Sequence, residues 1–192
     1  MNLDFTSPVF QICAVLLVLL IVVGIALYIR NRRKTSAGLR TRFGPEYDRA
    51  VTAHGSERKA EAKLTDRETR VEGLKIRELG ATERTRFIAD WQAVQSRFVD
   101  HPKGSVTEAD ELISALLIAR GYPPSDFDRR TADISVNHPR LVEHYRSAHG
   151  VAVRLSKNEA STEELRTAMI EYRSLFDELV EVRLPGDVKA VA

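Results

Sequence analysis

The apolar positions of this chain fall into two kinds of pattern. From Val9 to Ile29 they are continuous, broken only by Gln11 and Gly24. Beyond residue 30 they recur every three or four positions. A 21-residue apolar run spans roughly 30 Å as a helix, the thickness of a bilayer's hydrocarbon core. A helix also satisfies its own backbone groups, which lipid demands. The run predicts a membrane anchor rather than a cleaved signal peptide. Met1-Asn2-Leu3-Asp4 has no Lys or Arg, the apolar stretch is too long, and Tyr28-Ile29-Arg30 is no cleavage site.

The periodic region predicts helices, with start and stop signals. Pro45 with Glu46 and Asp48 opens a charged helical segment to Gly73, with a bend at Gly55-Ser56. Its apolar stripe is thin. Steps of three and four read Ala50, Ala53, Glu57, Ala60, Leu64, Arg67, Val71 and Leu74, a seam with two charged interruptions. A helix capped at Thr82 carries Phe87, Ile88, Trp91, Val94 and Phe98 and ends at His101-Pro102. A second starts near Ser105 or Thr107 and stops at Gly121 before Pro123-Pro124. Ser125 and Asp128 form a capping box for a short turn or helix to Asp133. Asn137 or His138 caps the next helix, with Pro139 at its first position and Leu141, Val142, Tyr145, Ala148, Ala152 and Leu155 along its stripe. The last helix opens on the capping box Ser161 to Glu164 and stops at Leu184-Pro185-Gly186.

No segment sustains period-two alternation, so the expected fold is all-α. It comprises an anchor with a basic collar (residues 1–34), a polar joint and charged helical connector (35–80), a small antiparallel helix bundle (81–184) and a tail (185–192). The expected core is Phe87, Trp91, Leu112, Leu116, Leu141, Tyr145, Tyr172, Leu175, Phe176 and Leu179.

Charge orients the anchor. The chain's net charge of +2 divides unevenly: residues 30–84 carry 15 Lys or Arg against 9 Asp or Glu, and residues 85–192 carry 14 against 17. Tyr28, Arg30, Arg32, Arg33 and Lys34 form an interfacial belt suited to anionic headgroups. Positive charge stays cytoplasmic, which predicts a single-pass protein of the inner (cell) membrane with its N-terminus outside and residues 30–192 in the cytoplasm. The acidic body argues against nucleic acid as a partner. The lone Cys13 lies in the anchor, so it supplies neither an intramolecular disulfide nor a cysteine zinc site.

Catalytic signals are sparse. His54, His101, His138, His144 and His149 include no pair at i, i+4, and no HExxH, phosphate loop or nucleophile elbow occurs. No cofactor or metal is expected. The densest polar cluster is His138, Arg140, His144 and Arg146, with Tyr145 among them. It offers a patch for a peptide or anion through fixed arginine donors, although capping and packing explain the same residues. The seam from 50 to 74 offers a homodimer through a short coiled coil, against the simpler reading of one solvated helix.

Several short stretches, Arg42-Phe43-Gly44-Pro45-Glu46-Tyr47, Trp91 with Val94-Gln95, Arg120-Gly121-Tyr122-Pro123, His138-Pro139, Tyr145-Arg146 and Leu175-Phe176-Asp177-Glu178-Leu179, resemble a group of uncharacterised bacterial membrane-anchored proteins. The resemblance covers about residues 40–181 and implies no known activity. The expected function is a membrane-tethered interaction module with a protein partner. The competing expectation is an enzyme whose site is assembled from scattered acids and histidines.

Overall fold

In the computed structural model the backbone is described for residues 8–181, and every described regular element is an α-helix. Two units divide the chain, residues 1–42 and 43–192. The first contains most of α1 (Pro8–Phe43). Its described apolar side chains from Leu16 to Leu27 are exposed on every side, between 46% and 68% for the large ones. Among the described residues no helix is long and apolar enough to cross a membrane. The side chains of residues 9–15, 18, 28 and 29, part of the expected anchor, lie outside those described. So do those of Arg32, Arg33 and Lys34, whereas Arg30 is exposed.

The second unit begins with a helical hairpin, α2 (Pro45–His54) and α3 (Glu57–Glu72). Gly55 breaks the helix: it adopts φ +72° and its N–H reaches the Val51 carbonyl at 2.9 Å. The Ser56 hydroxyl then caps α3 by accepting the Lys59 N–H. The chain therefore reverses where a bend was expected. Tyr47 of α2 donates to Glu61 of α3 at 2.9 Å, which sets the two antiparallel. The thin seam is spent within the chain, since Ala50, Ala60, Leu64 and Val71 are buried. The picture of one solvated helix does not hold: α3 packs on α6.

Residues 74–79 cross to the bundle as an irregular strap. The Arg77 N–H donates to the Arg120 carbonyl at 2.9 Å. The strap passes so close to Gly121 that a Cβ there would lie 2.3 Å from the Lys75 carbonyl oxygen. Gly121 also has φ +94°, as a left-handed C-cap requires.

The bundle consists of α4 (Ala81–Arg97), α5 (Pro102–Ala119), α6 (Phe127–Asn137), α7 (Leu141–Ser156) and α8 (Thr162–Glu181). Cross-helix pairs show the directions. Arg97 meets Glu108 across the α4–α5 turn, and Arg154 meets Glu164 across the α7–α8 turn. Asp110 of α5 meets His149 of α7, while Lys103 meets Asn158, so α5 and α7 run antiparallel. The apolar stripes converge on one core centred on Ile113, Leu116, Leu165, Tyr172 and Leu175. Trp91 stacks on Phe176 at 4.9 Å and ties α4 to α8. Nine of the ten expected core residues are buried, and Leu112 is half-buried at the rim.

Several boundaries differ from expectation. Pro102 takes the first turn of α5, which therefore starts earlier than Ser105. The Glu83 carboxylate accepts the Gly80 N–H at 2.9 Å, so α4 opens at Ala81 rather than at a Thr82 cap. Asp126, not Ser125, caps α6 through the Arg129 N–H at 2.8 Å, and α6 runs on to Asn137. His138 consequently closes α6, and α7 starts two residues beyond Pro139. The box at Ser161 is formed: the Ser161 N–H donates to Glu164, and the Glu164 N–H reaches the Ser161 hydroxyl. The stop at Leu184-Pro185-Gly186 and the tail lie outside the described residues.

Candidate functional site: buried polar networks and two clefts

The expected 138–146 patch is dispersed. Arg140 is exposed at the start of α7. His144 is half-exposed and its Nδ1 pairs with Glu171 of α8. His138 is buried, with Nδ1 at 3.0 Å from Glu178. Burial pushes the His138 pKa down, and Glu178 only partly opposes this. Arg146 points the other way, into the hairpin joint, with Glu46 as its partner. The four side chains thus do not share one open surface. Three are committed to carboxylates of three different partners.

Three polar networks take the place of that patch. In the hairpin joint, the buried Glu46 carboxylate of α2 accepts from Arg146 of α7, Nη2 to Oε2 at 3.1 Å, and pairs with Arg67 of α3 at 3.7 Å. One turn further along α3, Arg70 donates from Nε to the buried Asp133 of α6 at 2.8 Å. Three guanidinium groups meet two carboxylates. Burial lowers the Arg67 pKa, and Arg146 and Arg70 add to that against Glu46. The joint holds α2, α3, α6 and α7 together, and a carboxylate without its arginine would be a buried, unpaired charge.

A second network lies between α5, α6, α7 and α8. Asp110 Oδ1 accepts from the Tyr172 hydroxyl at 2.8 Å and faces His149 Nδ1 at 3.3 Å. Burial alone would raise the Asp110 pKa, but the bonds from His149 and Tyr172 outweigh it and the net direction is down. Arg130 reaches the Tyr145 hydroxyl at 2.9 Å, the Ser114 hydroxyl at 2.5 Å and the Ser125 carbonyl at 2.9 Å. Phe127 stacks on the His149 ring at 3.8 Å. Burial raises the pKa of both Tyr145 and Tyr172, which keeps both phenols neutral, Tyr145 accepting from Arg130 and Tyr172 donating to Asp110. Asp110 with His149 is the one pair here that resembles an oriented acid–base couple.

A third centre is Arg120, at the end of α5 and only 1% exposed. Its Nη1 donates to the Leu179 carbonyl of α8 at 2.7 Å, while Nε and Nη2 have no partner among the described residues. Burial lowers its pKa. Among the described residues no cluster of three His, Cys, Asp or Glu side chains could hold a metal ion.

Two clefts flank α4. One, of about 420 Å³, lies between α4 and α5 and is lined by Asp90, Arg97, Glu108, Glu111 and apolar side chains. The other, of about 230 Å³, lies between α4 and α8 over the Trp91–Phe176 stack, with Ile88, Arg173, Asp177 and Glu181 at its rim. Neither is lined by Asp110 or His149.

Sequence reasoning missed Glu46, Arg120 and Asp133 as buried residues, and Asp110 and Arg130 as half-buried ones. One signal was present. Arg67 falls in phase with the seam Ala60, Leu64 and Val71, where a charge implies a buried partner rather than a flaw in the stripe. Comparisons with protein-family models, with curated proteins and with solved structures found no match to this chain.

Proposed function

We propose that the protein is a membrane-tethered interaction module, with α1 as its anchor and the helical unit from residue 43 onward as a cytoplasmic body that meets a protein partner. One observation carries the reading. In α1 the described side chains between Leu16 and Leu27 are apolar on every face and exposed, with a charged residue, Arg30, following. Helices that are apolar all round need an apolar surrounding. Anionic headgroups at Tyr28, Arg30, Arg32, Arg33 and Lys34 complete the reading. The resemblance to uncharacterised membrane-anchored proteins agrees with it and assigns no residue a role. A homodimer through residues 50–74 would have to share a seam already buried within the chain.

Topology tests the proposal. Alkaline phosphatase fused after Ala192 is expected to be inactive, while the protein stays in the membrane pellet through alkaline carbonate extraction. Release into the supernatant would overturn the anchor, and an active fusion would reverse the orientation.

The competing reading, an enzyme, draws on the Asp110–His149 pair. Here the geometry favours a structural role. Phe127 covers one face of the His149 ring, and Tyr172 shares the Asp110 oxygen that would orient it.

A further inference from the structure

The outward face of α4 differs from other helix faces that meet solvent. On α8 the solvent-facing positions include Arg166, Arg173 and Asp177. On α3 they include Arg58, Lys59, Lys63 and Asp66. Along α4 and the turn after it, Thr85, Ile88, Ala89, Gln92, Ser96 and Val99 follow one another at steps of one, three and four, and all are exposed. None is charged. Ile88 is 38% and Val99 84% exposed. An uncharged stripe with two exposed aliphatic side chains, Ile88 and Val99, costs solubility unless something covers it.

The stripe stands as a ridge between the two clefts, which run along either side of α4. A helix laid against such a ridge sets its own side chains into both grooves. The charges at the groove edges are mostly neutralised in place. Arg97 is engaged by Glu108 at 2.5 Å, and Arg173 by Asp177 at 3.5 Å. The carboxylates left over are Asp90 and Glu111 in one cleft and Glu181 in the other, none with an ion-pair partner among the described residues. The ridge is uncharged, and the residues lining each cleft carry a net negative charge.

We propose that this face docks a basic amphipathic helix of a second protein, its small or apolar side chains on the α4 ridge and its Lys or Arg side chains toward Asp90, Glu111 and Glu181. The assignment rests on the interaction-module reading above and names the surface that does the work. Charge complementarity chooses the occupant. A second copy of this chain would bring the same three carboxylates against themselves, which disfavours self-association through α4.

A photo-crosslinking amino acid in place of Gln92, in the full chain in its native membrane, tests this. A control chain carries the crosslinker at Val153, an exposed position on α7. The expected result is an adduct from position 92 that maps, by peptide sequencing, to a helical segment rich in Lys and Arg. Its yield should fall about tenfold in the variant Asp90→Lys, Glu111→Lys, Glu181→Lys, as charge reversal at an interface predicts. The neutral variant Asp90→Asn, Glu111→Gln, Glu181→Gln should lie between. It serves alone if the reversed chain does not fold. An adduct to a second copy, to a segment without net positive charge, or with a yield indifferent to these charges would overturn the proposal. So would adducts from position 153 alone, which would leave the module reading standing on a different surface. Absence of any protein adduct from either position would overturn both.

Discussion

The α2–α3 hairpin and the α4–α8 bundle are both helical, yet they are held by different physics. The bundle buries broad apolar stripes. Every one of its helices contributes to one core, and polar groups such as Asp110 and Arg130 sit at its edge, each with several donors or acceptors. The hairpin buries a smaller apolar set, Tyr47, Ala50, Ala60, Leu64 and Val71. Alanines bury little area, at roughly 25 cal/mol per Å². Its hold on the bundle depends instead on Glu46 and Asp133, both nearly fully buried, and on three arginines. Apolar contacts are non-directional and tolerate repacking, whereas the joint works only with all its charges present. The two parts should therefore fail differently.

The largest effect is expected in the bundle. Phe176→Ala removes the ring stacked on Trp91 and should cost about 3–5 kcal/mol, the range for a large aromatic lost from a core. Chemical denaturation of residues 43–192 would show one shifted transition. A loss below about 1 kcal/mol would mean that α4 contributes little to the core.

Glu46→Gln attacks the hairpin and should cost about 2–4 kcal/mol, because it leaves Arg67 and Arg146 without a counter-charge in a mostly buried site. The loss should be local. Hydrogen exchange in α2 and α3 should rise well before that in α7 and α8. Uniform acceleration across both would erase the distinction between the two regions.

Gly121→Ala strikes the strap between them. The new methyl meets the Lys75 carbonyl in a left-handed backbone, so a cost of about 1–3 kcal/mol is expected, read from the thermal midpoint. A neutral result would show that the strap can shift without loss.

The smallest effect is a pH dependence confined to the bundle. The folded His138 pKa lies below its ordinary 6.5, so the unfolded chain binds the proton more readily. Stability should be full above pH 6.5 and decline as pH falls from there toward the folded value. His138→Gln should flatten this part of the profile in thermal melts from pH 5 to 8. An unchanged slope would assign the dependence to another group.

Local signals made the helices of this chain legible. Pro45, Gly121 and the Ser161–Glu164 box each act within four residues of themselves, and the structure has all three in those roles. The bundle core was legible for the same reason, since periodic stripes on consecutive helices have only one another to bury against. The misplaced starts of α4, α5, α6 and α7 are contests between neighbouring caps. Asp126 outcompeted Ser125, and Pro102 preceded Ser105.

The sequence by itself thus determined that the chain is helical, which faces are apolar, and where the uninterrupted apolar run lies. Only the tertiary structure decided what the charges do. Glu46 and Arg146 are 100 positions apart, and Arg70 and Asp133 are 63 apart. A buried ion pair between distant residues leaves no periodic trace, because each partner reads locally as an ordinary helix charge. Arg67, in phase with an apolar seam, was the exception. Its meaning became clear only when the hairpin closed and set Glu46 beside it.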